Sequence, residues 1–429
     1  FKKMANNYQS NTNEKLLKAF IKGFESSTVL LNTVSKQLVN DLDASTGAGA
    51  TPVKMKRPTQ YKPVRTPGGD LTSTTANPVQ VGSVFGKVSD NGYITVYVEN
   101  TQVEEALETD QLDALLMPIA EDMVITCESE LAQYMTRAAQ LHSGTAGTAI
   151  TKWSDIANAG ALFKEIGAPA GKKYAAINSF DETVLADLQT QLGVNPEVNQ
   201  AWNEAVIKTG FAGLNQVMTT NNLDEYASGA PGTGITLAAT PAATYVAYKD
   251  SYQMSLALTG LTTSTGTLKA GQQLSFPASS LLNMRNGKVV RKSGVAVPFT
   301  ATVLADVTAD GSGNATVLVS GAAIFEAGGA YNTVNVALAS GATVTVIDGA
   351  TSVDKRPALA YCEGFVGMGS VVLPKLHSID SNIINHKGVS IRVHRFSDGL
   401  GNKNRYRFDI LPTFATFNPS WGIQLEGTS

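Results

Sequence analysis

The chain has 429 residues, of which 43% are hydrophobic and only 16% are charged, and its formal net charge is −3. This length predicts two or three domains, and the slightly acidic balance argues against a protein that binds polyanions with its whole surface. The chain has no N-terminal apolar segment and no run of about 18 apolar residues, so we expect neither secretion nor a membrane-spanning helix. Cys127 and Cys362 form no Cys-x-x-Cys motif, and we interpret them as reduced, buried thiols.

Residues 1–45 are predicted to form an amphipathic arm. A polar lead is followed by apolar residues at helical spacing, and such a stripe must dock on another surface. Gly23 weakens the interior of this predicted helix. The apolar stripe consists of Leu16, Leu17, Phe20, Ile21 and Phe24.

Residues 46–98 are predicted to be one long extended excursion. The stretch KMKRPTQYKPVRTPGGD contains three prolines, which exclude a helix and disfavour a central strand. Asp90-Asn91-Gly92 predicts the turn of a β-hairpin, and residues 93–98 alternate as a strand does. The cations that precede the first acid of this stretch, Asp70, are Lys54, Lys56, Arg57, Lys62 and Arg65.

Residues 99–150 begin with an acid-only run, residues 99–113, which has six acids and no base. Pro118 is then predicted to open a long helix whose apolar stripe continues to about Leu141. At 1.5 Å per residue this helix would be about 35 Å long, enough to be the spine of a domain. The six acids are Glu99, Glu104, Glu105, Glu108, Asp110 and Asp113.

Residues 151–227 alternate between helical and strand patterns and predict an α+β or α/β unit. We expect a helix that is capped by Ser154 and ends near Gly167, because serine favours the N-cap and glycine the position after the last turn. The remaining predicted elements are a strand at 172–178, helices at 179–193 and 197–207, and a strand at 214–220.

Residues 228–350 have a different texture, with 11 charged residues in 123 positions. Turn signals separate seven strand-like runs, which predict an all-β sandwich or barrel inserted into the preceding unit. Residues 351–429 return to long strand patterns, with a hairpin about Asp398-Gly399, and complete the interrupted domain. The seven runs are 244–250, 252–260, 273–278, 299–307, 314–320, 334–340 and 343–349.

No catalytic or metal-binding pattern stands out, and we expect no catalytic residue, no cofactor and no metal. The segments 352–355, 89–91 and 208–210 match the three motifs of serine β-lactamases and penicillin-binding proteins, but they follow one another in the wrong order. No histidine has a His or Cys partner two to four residues away, as a zinc site would need. The four histidines are His142, His377, His386 and His394.

The order of these parts resembles the major capsid (coat) proteins of tailed double-stranded-DNA bacteriophages, with the Hong Kong 97-type (Johnson) fold. The inserted β-rich part, and stretches such as ITKWSDIA, AYKDSYQ, LPKLHSIDS and SIRVH, resemble the coat proteins of short-tailed enterobacterial phages. The resemblance implies an α+β fold of six parts. These are an N-terminal arm (1–45), an extended E-loop (46–98), a peripheral domain with a spine helix (99–150), an axial domain (151–227), an inserted β-domain (228–350), and the remainder of the axial and peripheral domains (351–429).

The resemblance further implies a structural protein that self-assembles into the icosahedral shell of a virion. Hexamers and pentamers of the chain would enclose double-stranded DNA without sequence-specific binding. Scaffolding and portal proteins would be further partners, and procapsid assembly would take place in the host bacterial cytoplasm. The resemblance identifies no residues for covalent crosslinking, and the inserted domain is expected to stabilise the fold and contact neighbouring subunits.

Charge patterning suggests how subunits meet. We hypothesise that the basic loop, residues 54–65, lies over the acid-only run of the next subunit. Ordering an extended arm costs about 1–2 kcal/mol per residue, which only partner contacts can offset. Exposed ion pairs contribute only about 0–1 kcal/mol each, so they would set register while apolar burial holds the shell.

Two other function classes stay open at this point. One is a nucleic-acid-binding protein that uses the basic loop, although Tyr61 is the only aromatic residue within it. The other is a β-rich surface adhesin, suggested by the Thr-, Gly- and Ala-rich middle of the chain.

Overall fold

The computed structural model shows a mixed α+β chain in which strand residues outnumber helical ones among those described. It divides into two compact units, the first comprising Phe1–Val53, Phe85–Ala132 and Val366–Ala415, and the second Lys54–Val84, Gln133–Phe365 and Thr416–Ser429. The residues described are 20–22, 28–36, 53–56, 61, 63–73, 80–89, 91–99, 112–190, 206–209, 212–347, 351–374, 381–386, 389–398 and 403–428.

Four α-helices occur in the described residues: α1 (Leu112–Ala138), α2 (Trp153–Ile166), α3 (Ser179–Thr190) and α4 (Tyr245–Tyr248). Short 3-10 helices span Leu30–Asn32, Pro67–Gly69 and Pro419–Trp421, and residues 20–22 are also helical. The strands are, in chain order, β1 (Val53–Lys56), β2 (Ser83–Val88), β3 (Ile94–Glu99), β4 (Leu141–Ser143), β5 (Lys173–Ile177), β6 (Val206–Thr209), β7 (Gln216–Thr219), β8 (Tyr226–Ala227), β9 (Thr236–Leu237), β10 (Gln253–Thr259), β11 (Thr267–Leu268), β12 (Gln273–Ser280), β13 (Arg291–Lys292), β14 (Val295–Ala296), β15 (Pro298–Val303), β16 (Val307–Thr308), β17 (Ala315–Ser320), β18 (Thr345–Ile347), β19 (Asp354–Lys355), β20 (Ala358–Cys362), β21 (Val366–Ser370), β22 (Ser381–His386), β23 (Val389–Asp398), β24 (Lys403–Ile410), β25 (Pro412–Thr416) and β26 (Gly422–Leu425).

Helix α1 confirms the predicted long helix but corrects its start. Pro118 lies inside the 27-residue helix instead of opening it, and the helix ends at Ala138 before the short strand β4. Proline lacks an N–H and its ring crowds the carbonyl of Ala114, so one hydrogen bond of the helix is lost there, but the hydrogen bonds of the remaining turns carry this long helix past it. The stripe of Met123, Cys127 and Leu131 is buried as predicted.

In the first unit, the strands β22, β23, β24 and β3 form an antiparallel sheet in that order. The predicted hairpin of β23 and β24 is confirmed, with Arg392 opposite Asp409. The predicted pairing across the Asn91 turn is wrong. The turn itself forms, since the N–H of Gly92 donates to the carbonyl of Ser89 at 3.0 Å, but β3 pairs with β24 and β2 pairs with β25. These are long-range pairings, which local alternation does not encode.

In the second unit, a six-stranded sheet has the order β4-β26-β20-β5-β7-β6. Every residue of β5, β20 and β26 is buried, which fits strands covered on both faces. Helix α2 contributes its apolar face to the same core and ends at Gly167 (φ 80°), as predicted. Its predicted N-cap is wrong, because the helix begins at Trp153 and the carboxylate of Asp155 accepts from the backbone N–H of Lys152 at 3.2 Å.

The β-rich segment, residues 228–350, contains a second six-stranded sheet with the order β18-β12-β15-β17-β10-β9. Five of the seven predicted strands are confirmed. The run 244–250 instead forms the helix α4, because Tyr245 and Tyr248 bury their rings at helical spacing, and 334–340 forms only a single bridge between Val334 and Leu281. Residues 151–227 and 228–350 belong to the same compact unit, so the boundaries of a separate inserted domain stay a prediction.

The third helix predicted at 197–207 lies mostly outside the described residues, and its last two positions belong to β6. Most of the predicted arm helix is also outside them. Phe20, however, is fully buried and stacks on Phe408, with ring centroids 5.0 Å apart. Both cysteines are free and buried as predicted, and burial raises the pKa of the Cys362 thiol to about 12.

Candidate assembly interface

The loop tip, residues 61–73, exposes apolar side chains beside a cation. Tyr61, Val64 and Leu71 are all more than 45% exposed, and Arg65 is exposed between them. A 3-10 turn over Pro67–Gly69 reverses the chain, and both of its glycines have φ near 76°, a conformation that other residues rarely adopt. A tip of this kind has an apolar surface that the described residues of its own chain leave open to solvent.

Asp70 fixes the end of that turn. Its Oδ1 accepts hydrogen bonds from the hydroxyl of Thr72 at 2.6 Å and from the backbone N–H of Thr72 at 2.9 Å. These two bonds lower the pKa of Asp70 below its usual value, hydroxyl first. The first acid after the basic loop therefore serves a local turn.

The loop base, residues 80–84, is attached to the β-rich segment. The hydroxyl and the N–H of Ser83 donate to Oδ1 of Asp250 at 2.7 and 3.0 Å, and the hydroxyl of Tyr331 donates to the carbonyl of Gln80 at 3.1 Å. A Cβ at Gly82 would lie 2.3 Å from the carbonyl oxygen of Lys249, so only glycine fits. The hydrogen bond from Lys249, supported by those from Ser83, lowers the pKa of Asp250 to about 2.

The predicted contact residues of the basic loop are only partly described. Lys54 and Lys56 lie on β1, and Arg65 lies in the loop tip. Arg57 and Lys62 lie outside the described residues. The basic loop and the acid-only run fall in different compact units, so their proposed contact between subunits stays a prediction.

The acid-only run is described at its two ends. Glu99, at the end of β3, accepts a hydrogen bond from Nε of Arg405 at 3.1 Å, and the guanidinium of Arg405 lies 5.9 Å from the ring centroid of Tyr97. Glu99 is therefore partnered within its own chain. Asp113 lies in the first turn of α1. The remaining predicted residues, Glu104, Glu105, Glu108 and Asp110, lie outside the described residues.

A buried carboxylate that the sequence reading missed holds the N-terminal arm. Glu128 is fully buried in α1, and its Oε1 accepts from the backbone N–H groups of Val29 at 2.5 Å and Leu31 at 3.3 Å. Further along, Ser35 exchanges backbone hydrogen bonds with Val366 and Met368. The signal was present, because Glu128 is an acid on the buried face of the helix.

A second buried carboxylate, Asp409, ties three strands of the first unit together. It accepts from Arg392 at 2.6 and 3.1 Å, from Arg407 at 2.7 Å and from the hydroxyl of Thr95 at 2.7 Å. Burial alone would raise the pKa of Asp409, but these hydrogen bonds outweigh it and keep the pKa lowered. The sheet that carries β3 and the start of the acid-only run is thus held together by side-chain bonds as well as by its backbone pairing.

Strands of the β-rich segment cap the C-terminal end of α1 and the residues that follow it. The hydroxyl of Ser320 donates to the carbonyl of Ala138 at 2.8 Å, and the hydroxyl of Thr302 donates to that of Ala139. The amide of Gln273 donates to the carbonyl of Leu141 at 3.0 Å. Carbonyl groups at a helix end have no partner within the helix, so these bonds satisfy them.

The catalytic coincidence noted in the sequence has no supporting geometry at Ser352. This residue has a left-handed backbone (φ 55°) and lies before β19, whereas the corresponding motif requires a serine that opens a helix. Within the described ranges, no three His, Cys, Asp or Glu side chains lie close enough together to hold a metal ion. Of the helices that the structure describes, none is both long and apolar enough to cross a bilayer.

Comparison with known proteins decides the family. A family model described as "P22 coat protein - gene protein 5" matches residues 4–427. The chain belongs to the P22 coat protein family. Membership confirms the predicted class of structural capsid protein, whose place is the virion and whose assembled form is a multimeric shell.

A relative within this coat protein class is the "Major capsid protein" of Acyrthosiphon pisum secondary endosymbiont phage 1. It is 41% identical over 428 residues, covering 99% of this chain and 100% of the relative. Solved structures give weaker matches. The capsid of Ralstonia phage GP4 has a TM-score of 0.41 at 8% identity, covering 95% of this chain and 91% of that one, and a Mycobacterium phage Che8 structure has 0.40 at 9% identity, covering 91% and 90%.

Proposed function

We propose that the chain is the major capsid protein that builds the icosahedral shell around a phage double-stranded DNA genome. The observation that carries this proposal is the match to the P22 coat protein family over residues 4–427. The finer expectations belong to the same proposal. They are the Hong Kong 97-type fold, the relation to short-tailed enterobacterial phages, the inserted β-domain, and a purely structural role without catalysis.

The E-loop is proposed to carry one contact between subunits. Its support is the contrast between a base held by Ser83 and Asp250 and a tip whose Val64 and Leu71 face solvent. Fixing the base lowers the entropy that is lost when the tip meets a neighbour. Because Val64 is 48% and Leu71 60% exposed, burying the rest of their side chains would contribute roughly 1–1.5 kcal/mol each, at least as much as an exposed ion pair.

The charges are proposed to set the register of that contact. The basic loop carries Lys54, Lys56, Arg57, Lys62 and Arg65, and the acid-only run of the next subunit is its natural complement. Because Glu99 forms an ion pair with Arg405 within its own chain, we expect the acids from Glu104 to Asp113 to pair with the basic loop of the neighbouring subunit.

The remaining partners complete the proposal. The N-terminal arm would contact neighbouring subunits from the segment anchored by Glu128, and the axial part of the second unit would surround the axes of hexamers and pentamers. Scaffolding and portal proteins, packaged DNA, and assembly in the host bacterial cytoplasm are expected from the coat protein role.

Charge reversal tests this arrangement. We expect Lys56→Glu/Arg57→Glu/Lys62→Glu to abolish closed particles at ordinary salt, measured by sedimentation and negative-stain microscopy. Reversal of Glu104, Glu105 and Glu108 to lysine in the same chain should partly restore them. The matched control is the triple exchange of each cation for the other basic residue, which keeps the charge.

Normal particles from the charge-reversed chain would contradict the register hypothesis. Absence of shells or tubes from the unaltered chain, expressed together with its neighbouring genes, would contradict the capsid proposal itself. Circular dichroism and a thermal melt establish that the variants are folded in either case.

A further inference from the structure

The β-rich segment presents one exposed basic hairpin, residues 283–296, in which β13 pairs with β14. Arg291 lies opposite Ala296, and Lys292 lies opposite Val295. The hairpin carries four of the 11 charged residues of the β-rich segment and has no acid. Its turn contains Ser293 in a left-handed conformation (φ 50°), which is uncommon for residues other than glycine. The four exposed cations are Arg285, Lys288, Arg291 and Lys292.

The start of the basic hairpin is fixed to the end of α2. The side-chain amide of Asn283 donates to the carbonyl of Glu165 at 2.6 Å, and the N–H of Met284 donates to that of Ile166 at 2.9 Å. Nε of Arg285 donates to the carbonyl of Gly167, the residue after the end of α2, at 3.1 Å. These bonds satisfy the carbonyl groups that the helix leaves unpaired, so they hold the hairpin on a rigid support.

The cations of the basic hairpin have no acidic partner among the residues that the structure describes. The ion pairs found there involve other side chains. Within the described part of the chain, Arg291 donates to the backbone carbonyl of Gly294 at 3.0 Å. Beside it, Val295 is 71% exposed. A surface of this kind fits a partner that is both acidic and apolar.

Helix α3 of the same unit has the opposite character. It contains three acids and no base, and Phe180 is 78% exposed at its first turn. Val184, one helical turn further, is also exposed and faces the same side. Partial burial raises the pKa of Asp181 and Glu182, so a cation brought close to them would relieve an unfavourable charge.

We propose that the basic hairpin of one subunit binds the acidic, apolar face of α3 on a neighbouring copy of the chain. Arg291 and Lys292 meet the carboxylates of the first turn of α3, and Val295 packs on Phe180. The two surfaces are different patches of each copy, so the contact is heterologous, and repeating it builds a ring where the rotation between copies closes. DNA fits less well, because phosphates give no contact to Val295.

Disulfide trapping tests the pairing. A Phe180→Cys chain and a Val295→Cys chain are assembled together and oxidised, and a bond forms only where the two Cα atoms come within about 4.4–6.8 Å. We expect a crosslinked dimer from the mixture and none from either chain alone. Because Cys127 and Cys362 are buried, the native thiols stay silent. The matched control replaces Val295→Cys by Val336→Cys, an exposed valine elsewhere in the β-rich segment.

The proposal is overturned if closed particles contain no crosslinked dimer of the Phe180→Cys and Val295→Cys chains. It is also overturned if the Val336→Cys control gives as much crosslinked dimer. A charge test gives an independent reading. We expect Arg291→Glu/Lys292→Glu to slow assembly at least tenfold and Asp181→Lys/Glu182→Lys to restore it, while Lys152→Glu/Lys172→Glu, two exposed lysines outside the hairpin, has little effect.

Normal assembly of Arg291→Glu/Lys292→Glu with reduced DNA content would instead assign the basic hairpin to nucleic acid, and would also overturn the proposal. This contact is separate from that of the E-loop. If the E-loop variants fail to assemble while the hairpin variants assemble normally, the capsid proposal stands and only the present inference is wrong.

Discussion

The base and the tip of the E-loop differ in how they are stabilised, although only a few residues separate them. At the base, Ser83 and Gly82 make close, specific contacts with Lys249 and Asp250. At the tip, the described residues show a self-contained turn at Asp70 and apolar side chains in solvent. The difference teaches that contacts within the chain fix where the loop starts, while they leave the apolar side chains of its tip exposed.

The largest effect on the folded chain is expected at the base. Gly82→Ala puts a Cβ against the carbonyl oxygen of Lys249, which is backbone and cannot swing away. We expect a loss of about 1–3 kcal/mol in the free energy of unfolding, measured by urea denaturation. Gly171→Ala is the control, because its added Cβ meets nothing within 4 Å. Equal stability of the two variants would show that the base is not tightly packed.

A smaller loss is expected when one hydrogen bond of the base is removed. Tyr331→Phe keeps the ring that stacks on Tyr245 but deletes the hydroxyl that donates to the carbonyl of Gln80. We expect about 0.5–1.5 kcal/mol, and a higher amide-exchange rate near residue 80. If the amide-exchange rate near residue 80 is unchanged while stability falls, the hydroxyl of Tyr331 stabilises the chain through another contact and not through the loop base.

Acid should weaken the base in a defined window. The pKa of Asp250 is lowered to about 2, so its bonds to Ser83 and Lys249 stabilise the fold above the ordinary carboxyl pKa near 3.8. Their contribution falls as pH drops from about 5 toward 2. Over this range the carboxyl of Asp250 takes up a proton in the unfolded state before it does so in the folded state, which favours unfolding. We expect the stability difference between the unaltered chain and Asp250→Asn to shrink over this range. A difference that does not vary with pH would argue against an ionised Asp250.

The smallest effect on the folded chain is expected at the tip. Val64→Ser/Leu71→Ser removes exposed apolar surface, and exposed substitutions usually change stability by less than about 0.5 kcal/mol. Assembly should nevertheless fall strongly, as sedimentation of particles would show. Ile125→Ser, at an exposed apolar position on α1, serves as a control for the general loss of surface hydrophobicity. A variant of the tip that unfolds would show that the tip contributes to its own chain.

Local patterns predicted much of the secondary structure because they depend on neighbours in sequence. The period-2 runs at 252–260 and 314–320 became β10 and β17, and the glycine at 167 ends α2. The same patterns failed where a distant partner decided the outcome. The turn signal at Asp90-Asn91-Gly92 and the alternation of residues 93–98 predicted a hairpin, but the strands on the two sides of the turn pair with strands in the C-terminal part of the chain.

The candidate interface shows the same limit. The sequence located the basic loop and its prolines, and the exposure of Arg65 agrees with the predicted extended loop. It gave no sign that Glu99 would be bridged to Arg405, 306 positions away, or that Asp250 would hold Ser83. Such contacts depend on which strands become neighbours after folding.

The sequence by itself determined the order of the parts and the sign of charge in each, because these are properties of composition and local pattern, and its resemblance to known coat proteins indicated the family. The tertiary structure alone decided which carboxylates are used inside the molecule and which surfaces stay open. Glu128, Asp250 and Asp409 are buried or bonded by residues far away in the chain, whereas Phe180 and Val295 are exposed against their apolar nature. The groups that a buried carboxylate binds are set by the packing of distant segments, and a local pattern does not contain that information.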